Sequence, residues 1–336
     1  MTRPAEQPVE RAATERAGDV PEQRMVRPSP AGPLLAVREF GGDARPFLLV
    51  HGLASNARVW DGVARILAAH GHRVAAVDLR GHGLSEAPDD GYDTDTAADD
   101  LAGLADALDL RSPVVVGQSW GGNVVLSLAA RYPGVAAAVA CVDGGWLRPR
   151  ASFASFDECW SVLAPPVLDG VRYADVAERI RAAHPDWPEQ GIDGTLANLV
   201  ELPGGGVRAR LAREHHREIL HSMYEQDPAD WYPRVGVPVL LVPAVGEEPT
   251  GEEPTGEEPA GEQPGDDGAD GDRSRAARES AVRESVRAAL AALPSARARW
   301  YPGADHDLHA QYPDRLAADL EELAHGLDGA SLEEAP

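Results

Sequence analysis

From residue 34 onward, short wholly apolar runs alternate with amphipathic stretches of helical length. LLAVREF (34–40) and PFLLVHG (46–52) read as neighbouring strands. ARVWDGVARILAAHG (57–71) repeats its apolar residues at helical spacing and stops at Gly71. HRVAAVDLRG (72–81) reads as a buried strand leaving into a loop, and TDTAADDLAGLADALDL (94–110) as a helix with Thr and Asp at its start. SPVVVGQS (112–119) is a further strand, WGGNVVLSLAARYP (120–133) a helix stopped by Pro133, and VAAAVACVDGG (135–145) a strand again. Fully apolar strands separated by helices predict an α/β protein with a mostly parallel central sheet covered on both faces. In such sheets function collects where strands end and helices begin.

The alternation breaks at 146–233, which carries Trp146, Trp160, Trp187 and Trp231, short helical patterns and a PGGG turn at 203–206. This segment is expected to be a helical lid lying over the sheet, with the tryptophans anchoring core and lid rather than serving as ligand platforms. VPVLLVPA (237–244) returns to the sheet, RSRAARESAVRESVRAALAAL (273–293) is a helix and ARARWYPG (296–303) a last strand. The organisation expected is a disordered tail over 1–28, a first core part over 29–145, the lid over 146–233 and a core strand within 234–245. An acidic low-complexity insertion over 246–272, a last core part over 273–326 and a C-terminal tail over 327–336 complete it.

Composition changes this picture in one place. Of 336 residues, 55 are Asp or Glu against 31 Lys or Arg, a net charge of -24, and 43% are apolar, enough for a sizeable core. Residues 246–272 hold 7 Glu and 4 Asp with no basic residue, in a five-residue repeat GEEPT-GEEPT-GEEPA-GEQPG. Glu, Pro and Gly in repetition cannot bury enough surface to offset the entropy of ordering. The acidic balance argues against nucleic-acid or anionic-membrane partners, and solubility is the plainer use of the charge. The two cysteines, Cys141 and Cys159, cannot form a disulfide framework. The N-terminus lacks the apolar core of a secretory signal and no run reaches the ~18 apolar residues of a membrane span, so a cytoplasmic location is expected.

The densest chemistry lies at Gly117-Gln118-Ser119-Trp120-Gly121, a G-x-S-x-G between an apolar strand and a helix. Glycines there permit a tight turn that lifts the Ser119 hydroxyl out of the sheet, a nucleophile elbow, beside the Trp120 amide at a helix N-terminus. A serine needs a base, and His306, in GADHDLHAQYP after the last strand, is the candidate. His309, three residues on, begins HAQYPDRLAADL and is expected to pack at a helix start. An oxyanion hole can be built from the Leu53 amide, after His51-Gly52, together with that of Trp120. His215, His216 and His221 do not share a helical face, so they predict no metal site. Asp266, Gly268, Asp270 and Gly271 hint at a calcium loop, but its twelfth position is Ala277 where Glu is needed. No metal and no cofactor are expected.

These motifs, with DLRGHGLS (78–85), resemble the α/β-hydrolase family from about residue 33 to 325. The resemblance implies a serine nucleophile, a histidine base, an acid between them in sequence and a helical lid. Relatives that open epoxides or remove halides carry Asp at the elbow, where this chain has Ser119. His82 belongs to the RGHG loop and is expected to be structural. For the acid, the loop after PVLLV reads PAVGEEPTGEEP, with Glu247 and Glu248 near the place most relatives put Asp, while Asp143 ends the preceding strand as in other relatives. Asp143, Glu247 or Glu248, and no acid at all remain open. The chemistry expected of this catalytic triad is two-step acyl transfer to water through an acyl-enzyme, with a small-molecule carboxylic ester or lactone as substrate. Acyltransferase, lactonase or amidase chemistry on the same triad is the alternative. A low-turnover binding member and an inactive scaffold whose acidic repeat recruits partners are rivals of another class.

Overall fold

The fold is that of a computed structural model, which describes residues 20–245 and 266–333, without the side chains of 266–275 and 328–333. Residues 1–19, the acidic repeat at 246–265 with Glu247 and Glu248, and residues 334–336 lie outside the described residues.

In chain order the strands are β1 (Glu22–Val26), β2 (Leu35–Phe40), β3 (Ala44–Val50), β4 (His72–Val77), β5 (Val114–Gln118) and β6 (Ala138–Val142), then β7 (Leu199–Glu201), β8 (Val207–Ala209), β9 (Val239–Val242) and β10 (Ala296–Ala298). The helices are α1 (Asp61–Ala69), α2 (Thr94–Ala107), α3 (Trp120–Arg131), α4 (Phe156–Leu163), α5 (Tyr173–Ala183), α6 (Glu189–Leu196), α7 (Arg213–Glu225), α8 (Asp266–Ala292), α9 (Leu308–Gln311) and α10 (Pro313–Glu333). Eight strands form one sheet in the order β1-β2-β4-β3-β5-β6-β9-β10, parallel from β4 to β10 and antiparallel at β1 and β2.

The uniformly apolar strands hide a period of two that the sheet makes visible. Phe47 and Leu49 of β3 pack with Val63 and Leu67 of α1 and Leu316 and Leu320 of α10 on one face. Leu48 and Val50 face the other way, among Leu101 of α2, Val124 of α3 and Val286 of α8. Both faces are therefore covered, as continuous apolar strands require.

Several expected boundaries and one pairing are corrected. β2 and β3 are not neighbours, because β4 lies between them. The chain crosses the start of β4 in a tight link whose Asp43 and Ala44 amides both donate to the Gly71 carbonyl. The tail expected over 1–28 contains β1, which pairs with β2 through its backbone while four of its five side chains stay exposed. Edge pairing of this kind leaves no hydrophobic pattern to read. α8 begins at Asp266, inside the stretch assigned to the acidic insertion, and α10 runs past Gly326 into the stretch assigned to a C-terminal tail. The 146–233 segment is inserted between β6 and β9 and holds α4 to α7 with the β7–β8 hairpin. Among the described residues no helix is long and apolar enough to cross a membrane.

The DLRGHGLS loop is a brace. Asp78 accepts the amides of Ala57 (2.6 Å) and Leu84 (2.8 Å), so it ties the loop to the chain after β3. Ser85 donates to the Asp78 carbonyl at 2.6 Å and accepts the Ala36 amide at 2.8 Å. Arg80 grips Asp100 of α2 through two bonds of 2.8 and 2.9 Å, with both residues buried. Burial pushes the Asp100 carboxyl up despite the Arg80 guanidinium beside it. Removing the cation leaves a buried, unpaired carboxylate, so Arg80→Met is expected to cost about 3–5 kcal/mol. Urea unfolding checks this, with a lowered midpoint at unchanged slope as the expected result.

Candidate active site

Between the last residue of β5 and the first of α3, Ser119 adopts φ 53°, ψ −124°, a left-handed conformation that costs a non-glycine residue ~1–3 kcal/mol. The turn is held by its backbone. Ser119 N–H donates to the Val142 carbonyl and Gly122 N–H to the Ser119 carbonyl, both at 2.9 Å. Two glycines make it possible. A Cβ at Gly117 would stand 2.1 Å from the Gly121 carbonyl oxygen, and one at Gly144 would stand 2.1 Å from that of Ser119.

His306 follows the sheet's last strand and reaches Asp143 at the end of β6. Its Nδ1–H donates to Oδ2 of Asp143 at 2.6 Å. Asp143 is itself held in a left-handed turn (φ 41°), with its amide donating to the Val242 carbonyl at 2.8 Å and its Oδ1 accepting the Ala244 amide at 3.0 Å. Of the carboxylates left open by sequence, this is the one seen against His306; Glu247 and Glu248 fall outside the described residues. Desolvation pulls the His306 imidazole down, but the Asp143 hydrogen bond and charge, with Asp307 nearby, carry it above its ordinary value. The side chain remains 53% exposed, so solvent screens part of that pull.

Contacts with no local sequence signal fix the His306 loop. Gln118, inside the elbow motif, donates from Nε2 to the His306 carbonyl at 3.2 Å. Asp305 accepts from the Trp187 indole at 2.8 Å and faces His184 Nδ1 at 3.1 Å, while its amide donates to Oε1 of Gln311. Gln311 in turn donates to Asp186 at 2.6 Å. The α5–α6 link therefore clamps the residues on either side of His306. His309 lies in α9, fully buried against Trp60 with ring centroids 4.4 Å apart, and burial pushes it down to about 4. It is a core residue.

The chain after β3 is shaped by two buried imidazoles. His51 donates from Nδ1 to the Gly52 carbonyl (2.7 Å) and accepts the Leu79 amide (3.0 Å). His82 donates from Nδ1 to the Arg80 carbonyl (2.9 Å) and accepts the Ala54 amide (3.2 Å). Burial lowers His51 to about 4 and His82 well below its ordinary range, so both stay neutral and keep the lone pair that accepts. Between these anchors, the Leu53 amide meets no acceptor among the described residues. Trp120 opens α3, where helix geometry leaves the first amides unpaired, and its indole is anchored on Thr94 at 3.1 Å.

Leu53, Ser119 and His306 line one cavity of about 410 Å³, walled on the inserted segment's side by Leu147, Phe153, Leu220 and Met223. Its remaining polar walls include Arg148, Ser152 and His216, and burial pushes His216 down. The three α7 histidines separate: His215 stacks on Tyr92 at 3.9 Å, His216 lines the cavity and His221 meets Phe156 at 4.7 Å. Among the described residues no group of three or more His, Cys, Asp or Glu could hold a metal ion. Trp146, Trp187 and Trp231 are buried, and Trp160 is partly buried under the Arg213 guanidinium. Sequence patterns did not mark Gln118, Asn123, Asp305, Gln311 or Arg148, because each acts through a partner distant in the chain.

A family model described as alpha/beta hydrolase fold matches residues 45–184. The non-heme chloroperoxidase of Streptomyces lividans is 34% identical over 205 residues, which cover 59% of this chain and 73% of that protein. The non-heme haloperoxidase of Rhodococcus erythropolis is 27% identical over 286 residues, 83% of this chain and 92% of its own length. Among solved structures, E-2-(acetamidomethylene)succinate hydrolase superposes with a TM-score of 0.65 at 23% identity, covering 90% of this chain and 98% of that one. With several other relatives the match is confined to little more than a third of their length.

The Asp143–His306 bond makes a direct prediction. With Asp143→Asn the carboxylate's pull is gone and desolvation remains, so the His306 titration midpoint, read by imidazole NMR, is expected to fall. In the wild type the pair favours the imidazolium. Its contribution to stability is therefore full below pH about 6.5 and fades as pH rises through the higher folded-state value. An unmoved midpoint would show that the two groups are not coupled.

Proposed function

The chain belongs to the α/β-hydrolase fold family, and from that premise we propose that it is a serine hydrolase cleaving carboxylic esters through an acyl-enzyme. The observation that carries this reading is the 2.6 Å bond between His306 Nδ1 and Asp143, with Ser119 and His306 on the walls of one cavity. With Nδ1 committed to Asp143, the imidazole's free Nε2 is the atom that takes the Ser119 proton as Oγ attacks the ester carbonyl. Asp143 keeps that tautomer and stabilises the imidazolium that forms. The amides of Leu53 and Trp120 hold the oxyanion, each such donor contributing ~2.7–4 kcal/mol to the barrier reduction. His306 then protonates the leaving alcohol, and a water deprotonated by the same imidazole releases the acid and restores Ser119. In this reading the inserted segment is the lid that shapes the acyl pocket. The neutral His51 and His82 hold the Leu53 loop against protonation across the working range.

The similarity to chloroperoxidases without haem favours one further outcome on the same acyl-enzyme. Hydrogen peroxide in place of water would give a peroxy acid, with His306 again taking the proton. Peroxy-acid release on adding peroxide to an acetate-ester assay tests that branch, and unchanged acetate release rules it out.

A fluorophosphonate is expected to label Ser119 in the folded protein. Ser119→Ala should lose both the label and the burst on p-nitrophenyl acetate, with turnover down by about 10⁴-fold or more. Because the base works only when neutral, kcat/KM is expected to rise with pH through a midpoint above 6.5. In Asp143→Asn the residual activity should rise at lower pH. Labelling without turnover on any ester would favour a binding member of the fold, and no labelling would remove the hydrolase reading.

A further inference from the structure

We propose, resting on the hydrolase reading above, that the substrate is an ester bearing a free carboxylate, and that Arg148 is the residue that recognises it. The cavity around Ser119 is walled mainly by Leu, Met, Phe and Pro side chains, and among the described residues Arg148 is the one permanently charged residue in its lining. Burial disfavours the charged form of His216 on the same wall. In a chain of net charge -24, and apart from the reacting imidazole and the oxyanion amides, Arg148 is the feature of that lining, among the described residues, that favours an anion.

Arg148 stands on a rigid base. It lies five residues beyond Asp143, and the Leu147 carbonyl before it accepts Asn123 Nδ2 at 2.9 Å. Asn123 also accepts the Gly145 amide at 3.1 Å, which ties the start of the insertion to α3. The Arg148 carbonyl accepts the Ala151 amide at 2.9 Å, closing the turn Pro149–Ala151.

The guanidinium is held rather than neutralised. Its ion pair is with Asp227, NH2 to Oδ2 at 3.1 Å, and the two side chains are 50% and 31% exposed. Asp227 is absent from the Ser119 cavity wall. It lines the adjoining hollow, whose wall Arg148 shares, so Arg148 stands between the two spaces; the Asp227 Oδ1 caps the Ala229 amide at 3.1 Å. An exposed pair of this kind binds weakly. A guanidinium has five N–H donors, so one nitrogen on Asp227 leaves donors for a two-oxygen acceptor on the cavity side. A purely apolar substrate would cover that face without replacing its water, whereas a carboxylate replaces it with a charge-assisted pair.

The test compares esters that differ only in that charge. Mono-4-nitrophenyl adipate is set against its methyl-capped form for the acyl side, and 4-acetoxybenzoate against its methyl ester for the alcohol side. The wild type is expected to favour the free acid in one pair by about tenfold or more in kcat/KM. Arg148→Gln should lower kcat/KM for that acid by about tenfold, chiefly through KM, and Arg148→Lys should keep part of the preference. Thermal melting of each variant separates loss of fold from loss of recognition. No acid preference in either pair, or an equal fall for acid and capped ester in a folded Arg148→Gln, would overturn the assignment. Fluorophosphonate labelling of Ser119 keeps the two readings apart: labelling without acid preference defeats the Arg148 assignment alone, and absence of labelling defeats both.

Discussion

The hydrogen bond between His306 and Asp143 joins residues 163 positions apart, and it exists only because the strands are ordered as they are. Asp143 directly follows β6, β9 lies beside β6, and β10 lies beside β9. Parallel neighbours send their carboxyl ends to the same edge, so the loops that follow them meet there. β5 flanks β6 on the other side and delivers Ser119 to that edge. The bonds from the Ser119 amide to Val142 and from the Asp143 amide to Val242 stitch the three strand ends together. A register slip of one residue would turn each side chain to the opposite face.

Such an edge is costly to build. Ser119 and Asp143 both sit at positive φ, where a Cβ is crowded, and the surrounding backbone bonds hold them there. The buried Arg80–Asp100 pair and the Asp78 brace, some way from the site, fix the loop under His82. One residue type then takes two electrostatic roles. His306 is raised because the Asp143 carboxylate is hydrogen-bonded to it, while His51, His82 and His309 are lowered by burial that no such bond to a carboxylate offsets. One imidazole is held above its ordinary value by its carboxylate partner, and three are left as neutral framework.

The insertion between β6 and β9 is coupled to this edge through several contacts, two of which bear on the site. Asn123 secures its first residues, and the His184–Trp187 link clamps Asp305 and Gln311 on either side of His306. The same segment that walls the cavity therefore also steadies the imidazole, so packing there acts on both pocket shape and proton position.

Local patterns in the chain were sufficient to determine the alternation of buried strands and helices, the turn at Ser119 and the loop position of His306. Each of these depends on residues within about one turn or one strand. The edge strand β1, the placement of β4 between β2 and β3, and the described extents of α8 and α10 beyond their expected bounds were not legible, since backbone pairing and helix continuation leave no apolar signature. Tertiary structure alone decided that Asp143 meets His306, that Gln118 and Asp305 hold the loop, and that Arg148 faces the Ser119 cavity. Those are contacts between distant segments, and their formation depends on strand order and register, which no short window of sequence contains.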